Sequence, residues 1–343
     1  MNLKIGIALL LCVLAEAVSC TKAGSPAHSL HTLKRTQMHM GTLVSITAVG
    51  RTHEESNEAI AAGFQEIQRL EQLLSTWIPS SELSKVNAAA GTGAVKVSLE
   101  TMAVVRKSLQ VAEMTEGAFN IAIGPAVDAW NISAEPRLPT PEELAVLKPF
   151  MDLQNVHTDA REWTISLQKA GMRIDVGGIG KGYAADQAVN VMKKAGAVAG
   201  VVALSGDIKT FGRLPDGGAF PVGIRHPRKE GEIFAQIDLQ DEAISTAGDY
   251  ERFFDKDGVR YHHILDPQTL QPARGCQSVS VIAKEGVWAD GLDTGIFVLG
   301  PERGMELVEQ LEDVEAIIVD AEGRVFISSG LRTRVKLSSD LRR

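Results

Sequence analysis

The chain has 343 residues, 44% hydrophobic and 23% charged, ordinary globular values with room for one large domain or two closely joined ones. Its net charge of −8 argues against a nucleic-acid partner, which needs a basic face. The three cysteines are Cys12, Cys20 and Cys276, and with the first two in a leader and an anchor no internal disulfide framework can form.

In chain order, Lys4 precedes an apolar run from Ile5 to Ala15, and Ala17-Val18-Ser19-Cys20 follows. A positive start, a short apolar core and small residues before a boundary make a secretory signal, residues 1–19. The run is shorter than the roughly 20 apolar residues that span a bilayer. Cys20 stands where a bacterial lipoprotein is cleaved and lipidated. The expected location is therefore the bacterial cell envelope, lipid-anchored at the periplasmic face of a membrane. Residues 20–36 read as a flexible tether, because 21–35 are dominated by Ser, Thr, Lys, His, Gly and Pro. A folded domain is expected over 37–340.

Thr42–Ala48 alternates as a strand does. Ile60, Phe64, Ile67, Leu70 and Leu74 recur at helical spacing and predict one long helix over His53–Trp77, ending before Pro79. Leu99–Thr115 reads as a second helix. Pro125–Trp130 and the Pro-rich 135–149 read as loops around a short helix opened by Thr140-Pro141-Glu142-Glu143, a cap, a first-turn proline and two acids. Met172–Val176 is expected as a strand, followed by a glycine turn and a helix over Lys181–Ala195. Further strands are expected at Val201–Leu204, Gln236–Leu239, Ala243–Ser245, Ser278–Ile282 and Ala316–Asp320, with a helix starting near Trp288. Strands and helices mix without a strict βαβ repeat, so the fold class is α+β rather than a doubly wound sheet. A domain boundary is conceivable only near 150–170.

Three segments can carry chemistry. Asp175 to Lys181 (DVGGIGK) joins a glycine turn to a helix start, where free backbone N–H groups suit a phosphate. It is not a P-loop, since Asp175 and Gly182 stand where that motif needs Gly and Ser or Thr; alone, it also fits a plain tight turn. Asp290, Asp293 and Thr294 share one face of a helix. Their oxygen-only set suits a hard cation such as Mg²⁺ rather than zinc. Acids also favour an exposed helix start, but the apolar Ile296 to Leu299 argue for burial, where two carboxylates repel unless a cation lies between them. Finally, His262, His263 and Asp266 lie together. A histidine beside a phosphate site can act as a base, yet adjacent histidines on a strand face opposite ways, and the residues alone do not choose between them. Trp77 and Tyr250 are possible stacking partners for a flavin or adenine, and Ser205-Gly206-Asp207 is a loop suited to a ligand.

Eight segments in order resemble the ApbE family, the FAD:protein FMN transferases. They are Met40-Gly41-Thr42, Ser75-Thr76-Trp77, Gly117 to Asn120 (GAFN), Asp175 to Asp186 (DVGGIGKGYAAD), Ser205 to Asp207 (SGD), Ile244 to Tyr250 (ISTAGDY), His263 to Pro267 (HILDP) and Ala289 to Thr294 (ADGLDT). The resemblance implies an ApbE-like, T-fold-related α+β unit of mixed sheets with packed helices in two intimately joined lobes. It implies FAD contacts from Met40, Trp77, Ala118, Phe119, Asn120, Asp175, Lys181 and Ile264. It further implies Mg²⁺ held by Asp290, Asp293, Thr294 and the carbonyl of Gly178, with His263 as the base and Asp290 its competitor. The implied reaction moves FMN from FAD to a Thr or Ser hydroxyl of exported redox proteins and releases AMP. The alternatives are a Mg²⁺-dependent FAD pyrophosphatase and a lipid-anchored flavin-binding or storage protein.

Overall fold

The computed structural model describes residues 30–338. The signal segment, Cys20 and most of the expected tether lie outside the described residues, as do 339 and 340. An eight-stranded antiparallel sheet organises the molecule, and its spatial order follows the chain. The strands are His31–His39, Thr42–Gly50, Ala199–Leu204, Asp207–Phe211, Ala243–Gly248, Cys276–Ala283, Val314–Asp320 and Val325–Ile327. The helices His53–Leu74, Gly180–Lys194 and Gly286–Leu299 cover one face and pack on one another. A three-stranded sheet of Phe220–Arg225, Ile233–Leu239 and Lys336–Leu337 covers the other, with Phe234 and Ile237 against Ile244, Ile282 and Ile317.

The helical spacing of the first long helix is borne out: Ile60, Phe64, Ile67, Leu70 and Leu74 are all buried, and the Thr52 hydroxyl caps the start by accepting from Glu55 N. This helix stops at Leu74 rather than running on to Trp77, because Ser75 is extended and its carbonyl accepts from the Ser81 hydroxyl at 2.7 Å. Thr140 forms the full capping box with Glu143 that its sequence suggests. One continuous core joins Val44, Met102, Ile165, Leu167, Met172 and Ile318, so no domain boundary falls at 150–170. Among the described residues no helix is long and apolar enough to cross a membrane.

Three expectations need correction. Residues 31–36, placed in the tether, belong to the edge strand His31–His39, which pairs residue for residue with Thr42–Gly50. Most of that strand's side chains face solvent, so it carries no hydrophobic alternation to read. Pro125–Trp130, read as a loop, lies within a helix, Gly124–Trp130. The proline occupies the first turn, where its missing N–H costs nothing, and Asn131 ends the helix at φ 46°. Met172–Val176 is not a strand: the backbone of Ile174 is paired instead by the Asn87 side chain, which accepts from its N–H at 2.8 Å and donates to its carbonyl at 2.9 Å. The next N–H, that of Asp175, donates to Ile121 O at 2.7 Å.

Candidate active site

Close backbone approach creates the site. At Gly182 a Cβ would lie 2.1 Å from the carbonyl of Gly286, so only glycine lets the helices Gly180–Lys194 and Gly286–Leu299 touch there. Asp186 then caps the second helix, its two carboxylate oxygens accepting from Gly286 N at 2.8 Å and Val287 N at 3.0 Å. The crossing delivers Asp290, Asp293 and Thr294 to the glycine turn. Gly182 N donates to Asp290 Oδ2 at 2.8 Å, and Gly178 lies so close to Thr294 that a Cβ would sit 3.1 Å from its hydroxyl.

A third acid completes the cluster. Asp207 begins the strand Asp207–Phe211, and carboxylate oxygens of Asp207, Asp290 and Asp293 all lie within 4.8 Å of one another in the buried interior. The Ser245 hydroxyl sits between two of them, 2.5 Å from Asp207 Oδ1 and 2.6 Å from Asp293 Oδ2. One hydroxyl has one proton to donate, so without a cation the second short contact requires a proton on a carboxyl group. Burial, then the charges of Asp290 and Asp207, push Asp293 well above the usual carboxylate range. Burial and Asp207 likewise push Asp290 up to about 7, against the pull of Lys181. The Lys181 ammonium pairs with Asp207 and lies 3.8 Å from Asp290 Oδ1. Burial alone would lower its pKa, but Asp207, Asp290 and Asp293 outweigh that and hold it charged. Fully ionised, three carboxylates against one ammonium would leave excess negative charge, and a hard cation with oxygen ligands, displacing the protons, fits such a donor set.

Lys181, expected at a dinucleotide, is thus part of the acid cluster. Asp207, expected only in a ligand-suited loop, and Ser245 reach the cluster from strands remote in sequence. The Ser205-Gly206-Asp207 turn, with Ser205 at φ 59°, was the available signal.

The other residues expected at FAD are placed as follows. Met40, at φ 49°, donates its N–H to Glu71 at 2.7 Å and brings its methyl 4.0 Å from where a Gly180 Cβ would lie. Phe119 is buried against Gly178 and Gly295, and Ala118 is buried beside it. Asp175 accepts from Gly177 N at 2.7 Å and lies 3.5 Å from the Thr76 hydroxyl. The neighbouring Trp77 is 76% exposed, an uncovered aromatic surface. Asn120 is engaged by the fold at both ends of its amide, accepting from Ala122 N at 2.8 Å and donating to Met151 O at 2.8 Å. Its side chain therefore holds the wall.

The two histidines separate as their alternation requires. His262 is buried, its Nε2 2.7 Å from Ala273 O and its ring edge-on to Phe297. His263 follows the strand Val259–His262 and is half-buried, with its N–H donating to Arg252 O and its Nδ1 3.3 Å from the same carbonyl. Burial, then the Arg252 charge, draws the His263 pKa down to about 3, with Lys181 adding to the effect. The ring is therefore neutral at ordinary pH. The carbonyl contact places the proton on Nδ1 and leaves Nε2 free to accept one. Ile264 is buried behind it and accepts from Ala273 N at 3.0 Å.

A glycine turn at a helix start meets three clustered buried carboxylates, the donor set of a site of the class that takes a hard cation. The family model of the ApbE family matches residues 40–318, and the chain belongs to that family. It is 34% identical to the FAD:protein FMN transferase of Treponema pallidum (strain Nichols), covering 96% of this chain and 95% of that one. It is 33% identical to a protein of the same name from Klebsiella pneumoniae (strain 342), over 94% of each. Among solved structures it superposes on the ApbE protein of Thermotoga maritima with a TM-score of 0.82, at 29% identity over 89% of this chain and 99% of that one. The flavin transferase ApbE from Vibrio cholerae gives a TM-score of 0.80 at 27% identity, over 89% and 100%.

Proposed function

We propose that this chain is an FAD:protein FMN transferase that depends on Mg²⁺. The observation that carries the reading is the direct contact between the glycine turn and the acid cluster, through Gly182 N to Asp290 and Gly178 against Thr294. A diphosphate on the turn meets the carboxylates there. Asp290, Asp293, Thr294 and the Gly178 carbonyl would hold the cation, with Asp207 as a further oxygen donor at the cluster. When bound, Mg²⁺ neutralises phosphate charge and the charge that develops on the leaving oxygen.

The chain's own groups do the rest. The acceptor Thr or Ser oxygen forms a bond to the FMN phosphorus, the bond from that phosphorus to the bridging oxygen breaks, and AMP leaves with the electron pair. The hydroxyl proton passes to Nε2 of His263, which is neutral and held in the right tautomer by Arg252 O. Lys181 pairs with Asp207 and holds its carboxylate in place. Trp77 and Met40 offer the flavin or adenine ring a stacking face and an apolar edge.

Mass spectrometry of an acceptor peptide incubated with the protein, FAD and Mg²⁺ tests this reading. A gain of one FMN ester supports it; free FMN alone makes the protein a pyrophosphatase, with water as the attacking oxygen. A tight yellow complex with no AMP formed makes it a storage protein, a role for which clustered buried carboxylates would be a needless cost. We further place the protein at the periplasmic face of a bacterial membrane, anchored through Cys20 and acting on exported redox proteins. Support comes from the apolar run Ile5 to Ala15 and the small residues before Cys20. Cys20→Ser should release it from membranes, and continued attachment would remove the anchor.

A further inference from the structure

Behind the strand that leads to His263 lies a cavity that shares no residue with the acid cluster. It measures about 100 Å³, and Arg228, Arg260, Arg274, Asp249, His262 and Gln277 line it. That is far below the several hundred Å³ of a dinucleotide pocket, yet large enough for several waters or one compact ion.

Its charge is unbalanced. Arg228 is committed to Asp249 by a two-pronged pair, Nη1 to Oδ1 at 2.6 Å and Nη2 to Oδ2 at 2.7 Å. Arg260 has only long contacts to carboxylates, 3.9 Å to Asp249 and 3.4 Å to Asp255, and its guanidinium lies over the Phe253 ring at 3.8 Å. Arg274 donates to Arg260 O at 2.5 Å and stacks over Tyr261 at 5.3 Å. Each guanidinium has five N–H donors in a planar fork, so Arg260 and Arg274 hold donors beyond these contacts. Burial keeps His262 neutral, which adds no charge of its own. Three guanidiniums thus line the cavity against the single carboxylate of Asp249, with Asp255 beside Arg260 at its edge, in a chain whose net charge is −8. Planar forks in a small polar cavity match a tetrahedral oxyanion.

We propose that this cavity binds a compact oxyanion of the phosphate class, and that its occupant braces the strand Val259–His262 against the start of the strand Cys276–Ala283. The strand carries Arg260 and His262 into the cavity and ends one residue before His263. The adjoining side chains of 262 and 263 point to opposite faces, so the anion sits behind the histidine rather than beside the reacting atoms. Binding stands independently of the proposed transfer; only the consequence for His263 rests on it.

The test is calorimetric titration of inorganic phosphate into the purified, metal-free protein, with chloride holding ionic strength constant. One site is expected, weakened at least tenfold in Arg260→Gln and in Arg274→Gln and unchanged in Lys181→Gln, which alters the acid cluster instead. Should Arg260→Gln fail to fold, Arg274→Lys keeps the charge, removes the fork and is expected to weaken phosphate likewise. Absence of binding to the unaltered protein, equal binding by the arginine variants, or loss of binding in Lys181→Gln would each overturn the site. Hydrogen exchange read with and without phosphate is expected to slow across 259–263, and unchanged exchange there would overturn the bracing.

Discussion

Two parts of the proposed site, the acid cluster and the surface around Trp77, are built on opposite plans. In the first, Asp207, Asp290 and Asp293 are almost fully buried, locked by Ser245, Gly182 N and Lys181. In the second, Trp77 lies open to solvent beside Thr76 and Asp175. Like charges repel more strongly away from water, so a carboxylate cluster has to be assembled by the fold before any ligand arrives. A stacking surface needs no such preparation, since it gains its contacts when a ring covers it. The buried part should accordingly govern chemistry and the open part affinity.

Asp290→Ala is the largest test of that division. Transfer should fall about 10²–10³-fold while the fold persists, as followed by rates and thermal melting; full activity would take Asp290 out of the chemistry. The metal-free protein also carries a pH signature. Asp290 binds its proton more tightly folded, with a pKa near 7 against an ordinary 3.8, so this group removes stability as pH rises from about 4 to about 7. Mg²⁺ should restore that loss, and less so in Asp290→Ala.

Gly182→Ala comes next. Its Cβ would overlap Gly286 O, forcing the two helices apart at a cost of about 3 kcal/mol or more. Lower melting temperature and weaker Mg²⁺ response should appear together; loss of neither would mean the close crossing is dispensable. Trp77→Ala should act on the open part alone, raising the KM for FAD about two- to tenfold from lost stacking, with kcat nearly unchanged. A comparable fall in kcat would collapse the distinction between the parts.

The smallest effect on stability belongs to His263. Its folded pKa lies below the ordinary histidine value, so the unfolded chain takes up the proton first. Stability from this group is present above about 6.5 and lost as pH falls toward about 3. His263→Gln should flatten that limb of a melting-temperature profile, modestly because the ring is half-exposed. An inflection in kcat/KM near 6.5 that disappears in the variant would show that the ring titrates at its ordinary value after all.

How much of this was legible depended on where each partner lies along the chain. The helical face carrying Asp290, Asp293 and Thr294 could be read from spacing, because positions three and four apart are neighbours in any helix. The same holds for Ile60, Phe64 and Ile67, and for the Thr140 capping box. Asp186 could not be read as a cap, since the N–H groups it receives are those of Gly286 and Val287. The edge strand over 31–36 left no trace, because its backbone finds a partner while its side chains face water.

The chain by itself determined its periodic elements, the shared face of two acids and a threonine, and a glycine turn able to approach an anion, all of them consequences of local geometry. Tertiary structure alone decided that Asp207 and Ser245 join that face, that Asn87 rather than a strand pairs the backbone of Ile174, and that His262 rather than His263 is the buried histidine. These depend on contacts between segments far apart in sequence, which no local spacing encodes.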